Sequence, residues 1–369
     1  MDFSFTEEQE TVGKVARQLF EHRATPEHLS GLEAGQVRYD PALWAELASS
    51  DLLGIALPES VGGSGGSFLE LGVLLAEVGW SVAPVPLYPT LVLGADTIAR
   101  HGDSALQQRY LPGVADGSTI LTGALIEPGN SNPTAPRTSA HAEAGRWRIE
   151  GTKELVPAAQ LATAVVVSAQ ADDGPGLFIV DTATEGVNVT PVRTTNGEPY
   201  ADLEFTGALG QRLGTPRGSE AIESLYTRAL VGLCTIQIGV VERALKLAAS
   251  YTSEREQFGR PIGSFQAVQQ RLADAFIDVE SIRWTAWHAA WLIAEGRPAA
   301  REAAIAKFWS AEAGARVVAS AQQVHGGMGI DVTYPLHRYF LWAKQIELAL
   351  GSASQQLARL GAGYPEGSK

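Results

Sequence analysis

The run Arg255-Glu256-Gln257-Phe258-Gly259-Arg260-Pro261-Ile262-Gly263-Ser264-Phe265-Gln266 separates two long helical patterns. Before it, Ala221 to Ser253 places apolar residues at nearly every turn and contains no proline. After it, Gln266 to Ala294 and Ala299 to Val324 repeat the pattern, Tyr334-Pro335 marks a break, and a last helix runs to about Leu360. Several long helices with broad apolar faces predict a bundle.

Upstream, the period changes. From about Ser118 to Gly214, short runs such as Val165-Val166-Val167 and Leu177-Phe178-Ile179-Val180 lie between polar turns. Ala201, Leu203 and Phe205 alternate with Asp202, Glu204 and Thr206, the pattern of a half-buried strand. Strands this short and closely spaced predict a small antiparallel sheet or barrel. Before Gly117 the spacing is helical again, starting at Thr6-Glu7-Glu8, where acidic side chains meet the positive end of a helix dipole. Leu57-Pro58-Glu59-Ser60-Val61-Gly62-Gly63-Ser64-Gly65-Gly66 reads as a loop. The expected architecture is α+β and multidomain. It has an N-terminal helical domain (1–117), a middle antiparallel β-barrel domain (118–214) and a C-terminal helix bundle (215–369).

The 369 residues are 45% hydrophobic and 19% charged, as in packed globular proteins. A formal charge of −13 argues against nucleic acid and anionic membrane as partners. Cys234 is the one cysteine, so no intrachain disulfide forms, and a reducing compartment is expected. No basic start with an apolar run marks a leader, and no run of about 18 apolar residues offers a bilayer span. The expected location is cytoplasmic. His, Cys, Asp and Glu show no metal-ligand spacing.

Several motifs carry a resemblance that covers essentially the whole chain. They are Phe5-Thr6-Glu7-Glu8-Gln9, Pro58-Glu59 before Gly62-Gly63, Tyr110-Leu111-Pro112, Glu127-Pro128-Gly129, the Arg255 run, and Gln323-Val324-His325-Gly326-Gly327-Met328-Gly329. In this order they resemble the acyl-CoA dehydrogenase family. The resemblance implies FAD as cofactor and an acyl-CoA thioester as substrate, with a carboxylate taking the α-proton while flavin N5 takes the β-hydride. It also implies FAD lying across a subunit interface. One subunit holds the ring through a Thr-Glu-Pro loop and a Trp-x-Thr strand, and its neighbour holds the pyrophosphate and adenosine.

The pyrophosphate and adenosine half is retained. Arg255, Phe258, Gln266, Gln323 and Gly327 match the family residues, with Arg255 a bidentate donor to phosphate and Gly327 permitting close backbone approach. The ring half departs from the pattern. Ile126 stands for the threonine, Ser131-Asn132-Pro133 for Gly-Ser-Asp, and Leu155-Val156-Pro157 for Trp-x-Thr. Ile126 has no hydroxyl, and Pro157 has neither hydroxyl nor N–H. The base is missing as well: Leu350 and Ala229 occupy the two positions where family members carry a catalytic glutamate.

The chain therefore resembles the non-catalytic subunit of bacterial α2β2 acyl-CoA dehydrogenases, some of which act on steroid side-chain thioesters. It is expected to complete the FAD site of a homologous catalytic subunit that binds most of the acyl-CoA, with electron-transfer flavoprotein as acceptor. Three alternatives stay open: a homo-oligomeric dehydrogenase with Glu347 or another residue as relocated base, a flavin monooxygenase on the same fold, and a flavin-free structural or acyl-CoA-binding paralogue. His325 reads as a loop residue held by backbone, and Cys234 as a small core residue.

Overall fold

The computed structural model describes residues 4–35, 37–214 and 218–363. Helices α1 (Glu7–Arg23), α2 (Pro26–Glu33), α3 (Pro41–Ser49), α4 (Phe68–Ser81), α5 (Asp96–His101) and α6 (Ser104–Ala115) come first. Seven strands follow: β1 (Leu121–Ala124), β2 (Ser139–Glu143), β3 (Arg146–Pro157), β4 (Ala164–Ala171), β5 (Gly174–Asp181), β6 (Val187–Val192) and β7 (Tyr200–Leu213). The chain ends in α7 (Gly218–Glu254), a hairpin of β8 (Glu256–Gln257) and β9 (Arg260–Pro261), α8 (Gln266–Ala294), α9 (Ala300–His325), α10 (Leu336–Leu348) and α11 (Ala353–Ala362). The expected α, β, α order is the observed one. The chain divides into two compact units interleaved in sequence. One comprises Met1–Gly31, Gly72–Ala83 and Leu230–Lys369, and the other Leu32–Leu71 and Pro84–Ala229.

The start of α1 is fixed by a capping box. The Thr6 hydroxyl accepts from the Gln9 amide, and the Gln9 side chain accepts from the Thr6 amide. Within the first unit, α4 and α7 meet at Gly79 and Gly239. A Cβ on Gly79 would lie 1.9 Å from the Ile236 carbonyl oxygen, and one on Gly239 would lie 1.9 Å from that of Ala76. Any side chain there would force the helices apart. Helix α9 packs against α8, α10 and α11. Its buried residues are mostly small, including Ala303, Ala306, Ala313 and Gly314, which allows close helix approach.

In the second unit the sheet closes on itself. Strands β4, β2, β3, β7 and β5 follow in order, and β5 pairs with β4 again; β1 joins β4 and β6 joins β7. Most pairings are antiparallel, and β4 runs parallel to β1 and β2. The interior is filled by Ile149, Val165, Val167, Phe178, Val180, Leu203 and Phe205. Burying each such side chain contributes about 1.5–3 kcal/mol. Ala201, Leu203 and Phe205 point into this core, as their alternation predicts. Strand β4 does not alternate, because the π-helical segment Tyr88–Ala95 packs against it and β1 and covers its other face.

Two expectations need correction. The single last helix is two helices, because Leu350 (φ +55°) and Gly351 (φ +104°) turn the chain and a second capping box at Ser352 starts α11. In addition, α7 contains an 18-residue stretch long and apolar enough to cross a membrane by length and composition. That stretch is 94% buried within the protein, as in a core helix.

Candidate functional site

The residues matched to the pyrophosphate and adenosine side all lie in the first unit and are all exposed. Arg255 follows α7 directly. Its amide donates to the Tyr251 carbonyl at 2.9 Å, and its carbonyl accepts from the Ile262 amide at 2.8 Å, so the backbone fixes its place. Among the described residues, the Arg255 guanidinium has no hydrogen-bond or ion-pair partner. The adjoining hairpin turns through Phe258 (φ +55°) and Gly259 (φ +75°). Left-handed backbone suits Gly259, but costs a phenylalanine of order 1–3 kcal/mol. The Phe258 ring is nevertheless 92% exposed and meets the Phe265 ring edge-to-face, with centroids 6.1 Å apart. A strained backbone that presents an apolar ring to water is a feature of binding surfaces rather than of cores. Gln266 is the first residue of α8.

Gln323 and Gly327 lie on a second segment. Gln323 sits in the last turn of α9, which Gly326 closes by donating its amide to the Gln323 carbonyl. A Cβ on Gly327 would meet nothing within 4 Å. Packing therefore does not require glycine at this position, and the open space admits close approach by a ligand. The two segments are joined by the rings of Tyr251 and His325, stacked with centroids 4.4 Å apart. An exposed unpaired cation, an exposed aromatic ring and an open glycine turn fit the pyrophosphate and adenosine end of FAD.

The residues set by the resemblance against the family's ring side lie in the second unit. Ile126 is half-buried, and its carbonyl accepts from the Glu154 amide at 2.9 Å. Leu155 (φ +51°) is exposed at a bulge between β3 and β7, and its amide donates to Asp202 at 2.9 Å. The Pro157 carbonyl accepts from the Thr122 hydroxyl at 2.5 Å. Ser131 and Asn132 are exposed and Pro133 is buried. The Glu154 and Leu155 amides, which could have replaced the missing hydroxyls, are thus already engaged.

The loop is anchored by Glu127. Its carboxylate accepts from Lys153 Nζ at 2.7 Å, the Arg137 and Thr138 amides at 2.7 and 2.9 Å, and Asn130 Nδ2 at 3.0 Å. Lys153 also donates to Ser168 Oγ at 2.9 Å, and no part of its side chain reaches solvent. Burial alone would raise the Glu127 pKa. The charge and hydrogen bond of Lys153, the Thr138 amide and Asn130 outweigh it and bring the value down to about 2. Burial pulls Lys153 down to about 8. The sequence reading saw Glu127 only as part of a motif and missed Lys153. A lone lysine in a strand carries no mark of burial.

The two positions that the resemblance assigns to the base, Ala229 and Leu350, hold no acid. Ala229 is fully buried in α7, and its carbonyl accepts from the Tyr88 hydroxyl at 3.1 Å. Leu350 is half-buried in the α10–α11 turn. Glu347 pairs with Lys344 at 2.5 Å and is about one-quarter exposed. Its carbonyl and that of Gly351 accept from the buried Lys307 at 3.1 and 3.0 Å, which holds the turn closed. Cys234 is buried, and burial raises its thiol to about 12, leaving it an inert core group. Among the described residues, no group of three or more His, Cys, Asp or Glu could hold a metal.

Comparison with known proteins matches three family models along the chain. These are the acyl-CoA dehydrogenase N-terminal domain at residues 6–118, the middle domain at 124–208 and the C-terminal domain at 217–364. The chain is 40% identical over 369 residues to acyl-CoA dehydrogenase FadE27 of Mycobacterium tuberculosis, covering 98% of both. Among solved structures, it superposes on a chain of the ChsE4–ChsE5 complex from Mycobacterium tuberculosis with a TM-score of 0.94 and 40% identity, over 99% of this chain and 100% of that one. It superposes on a chain of the Tcur3481–Tcur3483 steroid ACAD variant with a TM-score of 0.92 and 44% identity, over 96% and 97%.

Proposed function

The chain belongs to the acyl-CoA dehydrogenase family, and we propose that it serves there as a base-less subunit completing the FAD site of a related catalytic chain. The asymmetry between the two half-sites carries this reading. Arg255, Phe258, Gln266, Gln323 and Gly327 are presented to solvent in one unit. In the other, Ile126 and Pro157 lack the hydroxyls of the ring side, and the nearby Glu154 and Leu155 amides are already bonded. Leu350 and Ala229 leave no carboxylate at either base position. Such a chain cannot hold the ring or take the α-proton, but it can supply the dinucleotide contacts to a neighbour.

Bound FAD would supply the hydride acceptor, with electron-transfer flavoprotein as the expected electron acceptor. This chain's residues would hold it through Arg255 at the pyrophosphate, Phe258 against the cofactor, and Gln323 and Gly327 at the adenosine. Two similar solved chains come from structures named for pairs of proteins, and one of those names specifies a steroid enzyme. They support a homologous partner chain and a steroid acyl-CoA ester as the substrate class, bound mainly by the partner.

The test is Arg255→Ala in the complex co-purified with its partner. A charge-assisted hydrogen bond contributes about 1.5–3 kcal/mol, so flavin affinity should fall about tenfold or more. Folding of the chain should be nearly unchanged, since the Arg255 guanidinium has no hydrogen-bond or ion-pair partner among the described residues. Unchanged flavin content together with an unfolded chain would show the arginine to be structural and overturn the reading.

A further inference from the structure

We infer that Tyr251, His325 and Tyr334 form a positioning cluster that holds the Arg255 hairpin and the Gln323–Gly327 turn in one arrangement for the anionic dinucleotide. The inference rests on the half-site reading above and adds what sets the half-site's geometry. The residues matched to the cofactor come from two segments far apart in sequence, each exposed. Something must hold Arg255 at a fixed place relative to Gln323 and Gly327, because a ligand gains affinity from groups already in position.

Tyr251 lies in the last turn of α7, and its carbonyl accepts the Arg255 amide at 2.9 Å. His325 is the last residue of α9, between Gln323 and Gly327, and is buried. The two rings stack at 4.4 Å with 22° between their planes. Tyr334 closes the triangle, its ring centroid 5.1 Å from His325 and 6.4 Å from Tyr251. Its amide donates to the Asp331 carbonyl, which ties the cluster to the chain that follows the glycine turn.

The hydrogen bonds fix the state of the imidazole. Nδ1 lies 2.7 Å from the Ala321 carbonyl oxygen, which can only accept, so Nδ1 carries the proton and donates. Nε2 is then a lone pair, and it accepts from the Tyr334 hydroxyl at 3.1 Å. The ring is held from both ends in one tautomer, and its face is held by Tyr251. Burial pushes the His325 pKa below its usual value, which favours the same neutral form. Being buried, His325 does not offer itself to a ligand; it acts through Gln323 and Gly327 on either side of it.

The test titrates FAD into the purified full-length chain and follows the anisotropy of flavin fluorescence, with circular dichroism and thermal melts on every variant. Half a site should lose flavin during purification yet bind added FAD weakly. Tyr251→Leu removes the stacking ring and should weaken FAD binding about two- to tenfold. Tyr251→Phe keeps the ring and should restore binding to about the wild-type value. Tyr334→Phe keeps its ring but removes the hydroxyl donor to Nε2, and should weaken binding about two- to tenfold. Should Tyr251→Leu fail to fold, Tyr334→Phe carries the test. If wild type binds FAD and Arg255→Ala loses it, while Tyr334→Phe and a folded Tyr251→Leu bind as wild type does, the positioning role is wrong and the half-site stands. If wild type does not bind added FAD, the same variants are read by the flavin content of the co-purified complex, where flavin lost with Arg255→Ala but kept with Tyr334→Phe and a folded Tyr251→Leu again overturns the positioning role and leaves the half-site standing.

Discussion

Purified alone, this chain should reduce no electron acceptor with any acyl-CoA above about 10⁻²–10⁻⁴ of the rate of its complex with a catalytic partner. That interval is the usual loss when a positioned general base is removed. Leu350 cannot accept a proton, and Ala229 lies fully buried under the Tyr88 hydroxyl. Glu347 lies in the last turn of α10, three residues before Leu350, but it is engaged by Lys344, and its backbone is fixed by Lys307. Dye reduction measured with a panel of acyl-CoA esters checks this. Robust turnover by the chain alone, abolished by Glu347→Gln, would relocate the base to Glu347 and restore the homo-oligomeric alternative.

Lys153→Met should be the most damaging single change to the β unit. It deletes one partner of a fully buried ion pair and leaves the Glu127 carboxylate to the Arg137 and Thr138 amides and Asn130. Breaking such a pair from one side costs about 3–5 kcal/mol, equivalent to roughly 6–20 °C in Tm for a unit of this size. The double change Glu127→Gln with Lys153→Met should recover part of the loss, because no uncompensated charge is then buried. The pH dependence has a definite sign. The folded-state pKa of Glu127 lies at about 2, below its ordinary 4.5. The unfolded chain therefore takes up this proton first as pH falls. The contribution of Glu127 is fully present above about 4.5 and is lost between there and about 2. Melts across that range should show a component that Glu127→Gln removes. A melt unchanged by Lys153→Met would show that the pair does not anchor the loop.

Much of the fold was legible because its periods are strong. Gln266–Ala294 was read as a helix and is α8, and the alternation at Ala201–Thr206 lies in β7 with its apolar members inside. The misreadings have local causes. Leu350 gives no sign that it adopts left-handed backbone, so the break between α10 and α11 was hidden inside an apolar run. The π-helical segment Tyr88–Ala95 was also invisible, since its apolar residues carry no distinctive spacing. At the candidate site, residue types told which contacts are retained and which are gone. They could not tell that the Glu154 and Leu155 amides are already bonded, nor that Lys153 reaches Glu127. They also could not tell that Tyr251 and Tyr334 meet on His325, because those pairings join positions far apart along the chain or set by the surrounding fold.

The shared cofactor site is tested most directly by the visible flavin spectrum of the chain purified alone and after co-expression with a homologous acyl-CoA dehydrogenase chain that carries its own glutamate base and ring-side loop. The account predicts a colourless protein alone and a yellow complex, with flavin that is lost when Arg255→Ala is made in this chain. Stoichiometric flavin in the chain purified alone, or a complex that stays colourless, would contradict it.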